Sequence, residues 1–184
     1  MIKDTFMMAY PSFDESKIVT IGWLQIIDID LTDVAMLIKS TTGINHQIIH
    51  AIQHLPQAGV ILVMPLGSNS SIQLNNLTDF PTAVIATGAT ADGITNSTGY
   101  GTGLEFISQD ESLTDTSEQS SFSNGFIGGQ LMKIVHGLNE PHTWVQVRAL
   151  ARQTASYADN YTELNGFGVI DVDAAIALGN SNPV

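Results

Sequence analysis

Cysteine is absent from the 184-residue chain, so neither a disulfide framework nor a thiolate metal site is available to it. Basic residues are scarce: 6 Lys and Arg stand against 18 Asp and Glu, for a formal charge of -12. That imbalance repels phosphate backbones and anionic lipid, which argues against nucleic acid as a partner. No apolar run reaches the ~20 residues of a transmembrane helix. The N-terminus, MIKDTFMMAYPSFDES, lacks the apolar stretch of about 7–15 residues that a signal peptide carries. Charged residues make up only 13% of the chain, and the abundance of Ser, Thr, Asn, Gln and Gly is compatible with an extracellular or particle-associated protein.

What is present suffices for one ordinary domain. The apolar fraction of 43% excludes a wholly disordered polymer, and no linker or internal repeat divides residues 1–184. Lys17 to Ile29 reads as one buried strand, β-branched and apolar, followed by a polar stretch up to Gly43. Ile44, Ile48, Ala51, Ile52 and Leu55 then share one helical face, which predicts an amphipathic helix ending near Pro56. VILVMPLG, residues 60–67, predicts a central parallel strand, so strand, helix and strand form a βαβ unit. Phe80 to Ala89 and Leu104 to Ile107 predict two further strands. Residues 108–121 are polar and acidic, as in an exposed loop.

Gly125 to Leu138 reads as a buried helix. A second helix of about 15 residues follows, with Thr143 as N-cap and Arg148 on its exposed side. The segment 166–179 predicts a brief strand and then a short helix. The fold class is therefore α/β.

Several groups carry candidate chemistry. His46, His50 and His54 recur at i, i+4 and i+8, a spacing that can chelate zinc on a helix face. They project from the polar side with no intervening Glu or Asp, which favours a solvated face, and no metal is assigned. The acidic run Asp110 to Glu118 has oxygen donors for calcium but not the EF-hand spacing. GYGTG, residues 99–103, lacks the lysine and helix start of a phosphate loop. His136 and His142 read as structural histidines, and no cofactor is implied. Four sequons begin at Asn69, Asn76, Asn96 and Asn160, as Asn/Ser/Thr abundance produces by chance.

The succession of these segments resembles the subtilisin-like serine peptidases over roughly residues 18–179, most closely over 44–179. PLGSN resembles the turn that carries the family's oxyanion-hole asparagine, which implies Asn69 for that role, with Ser68 the alternative by strict spacing. FPTAVIATGA resembles the family's Y-P-x-V-I-x-V-G-A segment. The nucleophile motif G-T-S-M-A-S-P-H-V-A-G falls on Gln119 to Gly129 and places the catalytic serine at Ser121. There the leading glycine is Gln119, the proline Gly125 and the histidine Phe126. TWVQVRALARQTA and NGFGVIDVDAAIALG resemble the last two family segments.

The family's D-[ST]-G and H-G-T-x-V-A-G patterns, which supply its aspartate and histidine, do not occur. Asp28 and Asp30 follow a strand without the turn glycine, and that strand resembles the family's substrate-flanking V-I-N-M-S-L-G strand instead. A serine hydroxyl needs a base within about 3 Å, itself held by a third group. The resemblance therefore implies a three-layer subtilisin-like fold with a mainly parallel sheet and a truncated N-terminal part.

The expected role is a non-catalytic structural, assembly or peptide-binding subunit. The alternative is a serine endopeptidase fragment in which another chain supplies Asp and His to Ser121. Strands that lose their neighbours leave an edge and an apolar face, which predicts a homo-oligomer or a companion chain.

Overall fold

The computed structural model describes residues 2–21, 24–27, 35–39, 60–65, 84–89, 103–108 and 119–181. The elements are α1 (Ile2–Ala9), a 3-10 turn (Glu15–Lys17), β1 (Ile18–Ile21), β2 (Leu24–Ile27), β3 (Ala35–Lys39), β4 (Val60–Pro65), β5 (Val84–Ala89), β6 (Leu104–Ser108), α2 (Gln119–Gly137), α3 (Trp144–Thr154) and α4 (Val172–Ser181). The strands form one sheet in sequential order, β1 to β6. β1, β2 and β3 pair antiparallel, with Ile18 opposite Ile27 and Ile27 opposite Met36. From β3 onward the pairing is parallel, Leu37 with Leu62, Leu62 with Val84, and Ala86 with Leu104.

The Lys17 to Ile29 segment is thus a hairpin rather than one strand. The polar stretch predicted after it contains β3, whose AMLIK sequence supplies the first parallel strand. The helix expected over Ile44 to Leu55 lies outside the described residues, as does most of the 108–121 segment.

β4 explains why this part of the sheet is internal. Ile61, Val63 and Met64 are fully buried and Leu62 nearly so. Strand side chains alternate between faces, so both faces of β4 are shielded, as an apolar parallel strand requires. Ile61 and Val63 join Met36, Phe106, Ile127, Leu131 and Ile134 in the principal core.

α2 lies across β3 to β6 and is flanked by the other three helices. Its buried positions include Asn124, Ile127, Leu131, Met132 and Ile134, too many for one stripe, as in a helix enclosed on several sides. The helix begins six residues earlier than the Gly125 expected from sequence.

α1 has no counterpart among the elements expected from sequence. It packs on α2 at Gly129, where a Cβ would stand 2.5 Å from the Phe6 carbonyl oxygen and 2.8 Å from Ala9 Cβ. Phe6 meets Phe13 edge-on at 5.2 Å.

α3 starts at the predicted cap. Thr143 N–H donates to Gln146 Oε1 at 2.7 Å, and Gln146 N–H donates to Thr143 Oγ1 at 3.4 Å, a capping box. The helix is 11 residues long, shorter than predicted. The brief strand expected at the start of 166–179 is instead a turn segment that lines the outer edge of β6. Phe167 N–H donates to Glu105 O at 2.7 Å and Ile107 N–H to Gly168 O at 3.0 Å. Gly168 takes φ +93 there, a conformation side-chain-bearing residues rarely adopt. The outer edge of β6 is therefore lined by the chain itself.

Candidate functional site

Ser121 sits in the first turn of α2, not in a loop. Three residues on, fully buried Asn124 donates from Nδ2 to Val63 O at 3.3 Å. That bond ties the start of α2 to β4, the strand that leads toward Asn69. Sequence reasoning misses Asn124, because it follows a polar run, QSSFS, that gives no sign of burial; its bond to β4 offsets the cost of burying an amide. Asn69 and Ser68 lie outside the described residues, as do His46, His50 and His54. Among the described residues no group of three His, Asp or Glu is placed to hold a metal ion, and no helix is long and apolar enough to cross a membrane.

The two described histidines stand at the opposite end of α2. His136 is fifteen positions beyond Ser121, about 22 Å at 1.5 Å per helical residue. Its Nδ1 pairs with the Tyr10 hydroxyl at 3.0 Å, and its ring stacks on Phe13 at 5.8 Å. His142 is buried past the helix end, with Nδ1 2.7 Å from Glu140 O. Both are structural, as their sequence context suggests.

Burial, and then the positive charge of Lys17, lower the His136 pKa below its ordinary 6.5. The folded state therefore holds fewer protons than the unfolded chain. The contribution is complete above about pH 6.5 and is lost as pH falls through the lower folded value. Urea midpoints measured at pH 7.5 and 5.5 should fall further on acidification in the native chain than in His136→Gln.

Among the described residues, a buried charge cluster joins β6 to α3. Glu105, 3% exposed, accepts from Arg148 Nε at 2.7 Å and 3.0 Å through its two carboxylate oxygens. Arg148 Nη2 and Arg152 Nη2 also donate to Glu105 Oε1. Arg148, expected on an exposed face, is only 7% exposed. The expectation fails because the carboxylate that draws Arg148 inward comes from a different element, far away in sequence. Arg152 also lies over the Phe167 ring at 5.0 Å. The cluster ties α3 and the 166–168 segment to the sheet edge.

No family model and no curated protein matches the chain. Solved structures do. The protease domain of PatA, in a mutant form, aligns with TM-score 0.59 and 18% identity over 78% of this chain and 56% of that one. A lanthipeptide protease aligns with TM-score 0.58 and 12% identity over 78% and 61%. MycP1 from Mycobacterium smegmatis aligns with TM-score 0.53 and 16% identity over 68% and 44%. These are subtilisin-like proteases.

The fold is subtilisin-like. The likeness covers part of the chain, which spans about half the length of these structures. At such identities the likeness is one of fold.

Proposed function

We propose that the chain is a non-catalytic subtilisin-like module, a three-layer domain serving as a structural, assembly or peptide-binding subunit. The observation that carries this reading is the position of the histidines. Both described ones lie at the far end of α2 from Ser121, each already engaged, and the sequence has no family histidine motif elsewhere. The enclosed faces of β4 and the parallel run from β3 to β6 support the layered, mainly parallel architecture. With β6 lined by residues 167 and 168, β1 is the outer strand on the other side of the described sheet. An outer strand suits pairing with a second copy or a companion chain.

The second reading is a peptidase fragment completed in trans. It is favoured by the share of the protease structures that the chain spans, 44% to 61%. Hydrolysis of a fluorogenic peptide library separates the two. The purified chain and its Ser121→Ala variant should give the same background rate, with or without co-purifying chains. A rate that depends on Ser121 in the presence of a second chain would establish the fragment reading instead.

A further inference from the structure

His136 is a titratable group that the proposed role does not use, and it sits where two parts of the chain meet. Residues 2–17 lie against α2 as a strap: α1 packs at Gly129, and the chain then turns through Phe13 into the 3-10 turn. Lys3 Nζ pairs with Glu15 Oε1 at 2.7 Å. That pair ties the first turn of α1 to the 3-10 turn, so the two move as one piece. Phe6, fully buried, and Phe13, nearly so, hold the strap down. Eight helical residues are too few to persist as a helix alone, so α1 keeps its helix only while it is seated.

His136 closes one end of that seat. Tyr10 meets its ring edge-on at 5.7 Å and shares a hydrogen bond with Nδ1 at 3.0 Å, while Phe13 stacks on it at 5.8 Å. Both partners belong to the strap. The charged groups on the elements around the ring are Lys3 and Asp4 on α1, Asp14, Glu15 and Lys17 at the 3-10 turn, Lys133 and Glu140 on and just past α2, and Asp173 on α4. Of these, Lys17 is the one whose charge acts on His136, and its sign is the same as that of an imidazolium. A neutral ring suits this setting, whereas a charged one gives up water to two aromatic rings and faces a lysine. The last carbonyls of α2 and the face of Phe13 favour the cation. Burial and Lys17 outweigh them, and the pKa stays below its ordinary 6.5. The Tyr10 bond itself survives protonation, because Nδ1–H then donates to the phenol oxygen. The penalty therefore falls on the stacked, half-buried ring, and it is relieved when the strap lifts and water reaches the imidazolium.

We infer that residues 2–17 are a strap that acid releases from α2, with His136 as its sensor. Opening is local: it takes Phe6 and Phe13 into water and uncovers the α2 notch at Gly129, while the sheet and α3 stay folded.

Hydrogen exchange of the whole chain at pH 7.5 and 5.5, read as protection relative to the intrinsic rate at each pH, tests this. The Tyr10 amide, which donates to Phe6 O at 3.0 Å, should lose protection at pH 5.5, while β4 and α3 keep theirs. His136→Gln, which keeps an amide for Tyr10 and cannot become charged, should abolish the difference between the two pH values. Lys17→Gln should shrink that difference with the native histidine in place, which keeps the test open even where His136→Gln loosens the strap at both pH values. Equal Tyr10 protection at pH 7.5 and 5.5, a loss shared by β4 and α3, or an undiminished pH response in His136→Gln would each overturn the inference.

Discussion

Glu105→Gln should destabilise the fold by about 3–5 kcal/mol, the penalty for leaving a buried charge without its counter-ion. The substitution keeps the shape of the side chain but removes its charge and replaces one acceptor oxygen with an NH2 donor that faces the guanidinium groups. Arg148, with a side chain 9% exposed, and Arg152, at 36%, both direct a guanidinium to the single Glu105 carboxylate. Two of their nitrogens, Arg148 Nη1 and Arg152 Nε, are buried without partners even when Glu105 is in place. Losing the carboxylate adds to that deficit. For a domain of total stability about 5–15 kcal/mol, such a loss removes much of the folded margin.

Arg152→Gln should cost far less, about 1 kcal/mol, because that side chain is partly in water. Urea denaturation followed by circular dichroism measures both. Equal effects at Glu105 and Arg152 would contradict the assignment of Glu105 as the hub.

Gly129→Ala should destabilise by about 1–3 kcal/mol although alanine is the better helix former by about 1 kcal/mol. The reason is where the methyl group lands. Its nearest neighbour is the Phe6 carbonyl oxygen, part of the α1 backbone, which cannot turn aside as a side chain does. Relief requires α1 to move as a unit, so Gly129→Val should release α1 from α2 and expose it to protease. Trimming Phe6 to alanine should give no rescue, since the clash is with the main chain. The comparison site is Gly137, where a Cβ meets the side chain of Ile176. There Ile176→Ala should restore much of the loss.

These two sites show what sequence can and cannot convey. β4, β6 and α3 are legible because their signals are local: an apolar run ended by Gly67, a short apolar strand, and Thr143 followed by Gln146. The hairpin reads as one strand because β1 and β2 are both apolar and look continuous, although Gly22 in the middle of the run is a breaker signal. β3 escapes notice because only five residues, flanked by polar ones, carry it. α1 escapes notice because its eight residues are too few to stand as a helix alone, and the packing at Gly129 that holds it is absent from a one-dimensional pattern. The Glu105–Arg148 pair joins positions 43 residues apart, a separation no helix or strand period reports. For the site, Ser121 does lie on the helix that the family resemblance implies, but in its first turn instead of a preceding loop.

The serine itself offers the most direct test. The folded chain alone, near neutral pH, is incubated with a fluorophosphonate and mapped by peptide mass spectrometry. A hydroxyl without a base beside it is not a nucleophile at this pH, and both described histidines are held at the far end of α2. Ser121 should therefore be labelled no more than other serines. Selective modification at Ser121, abolished in Ser121→Ala, would contradict the non-catalytic role.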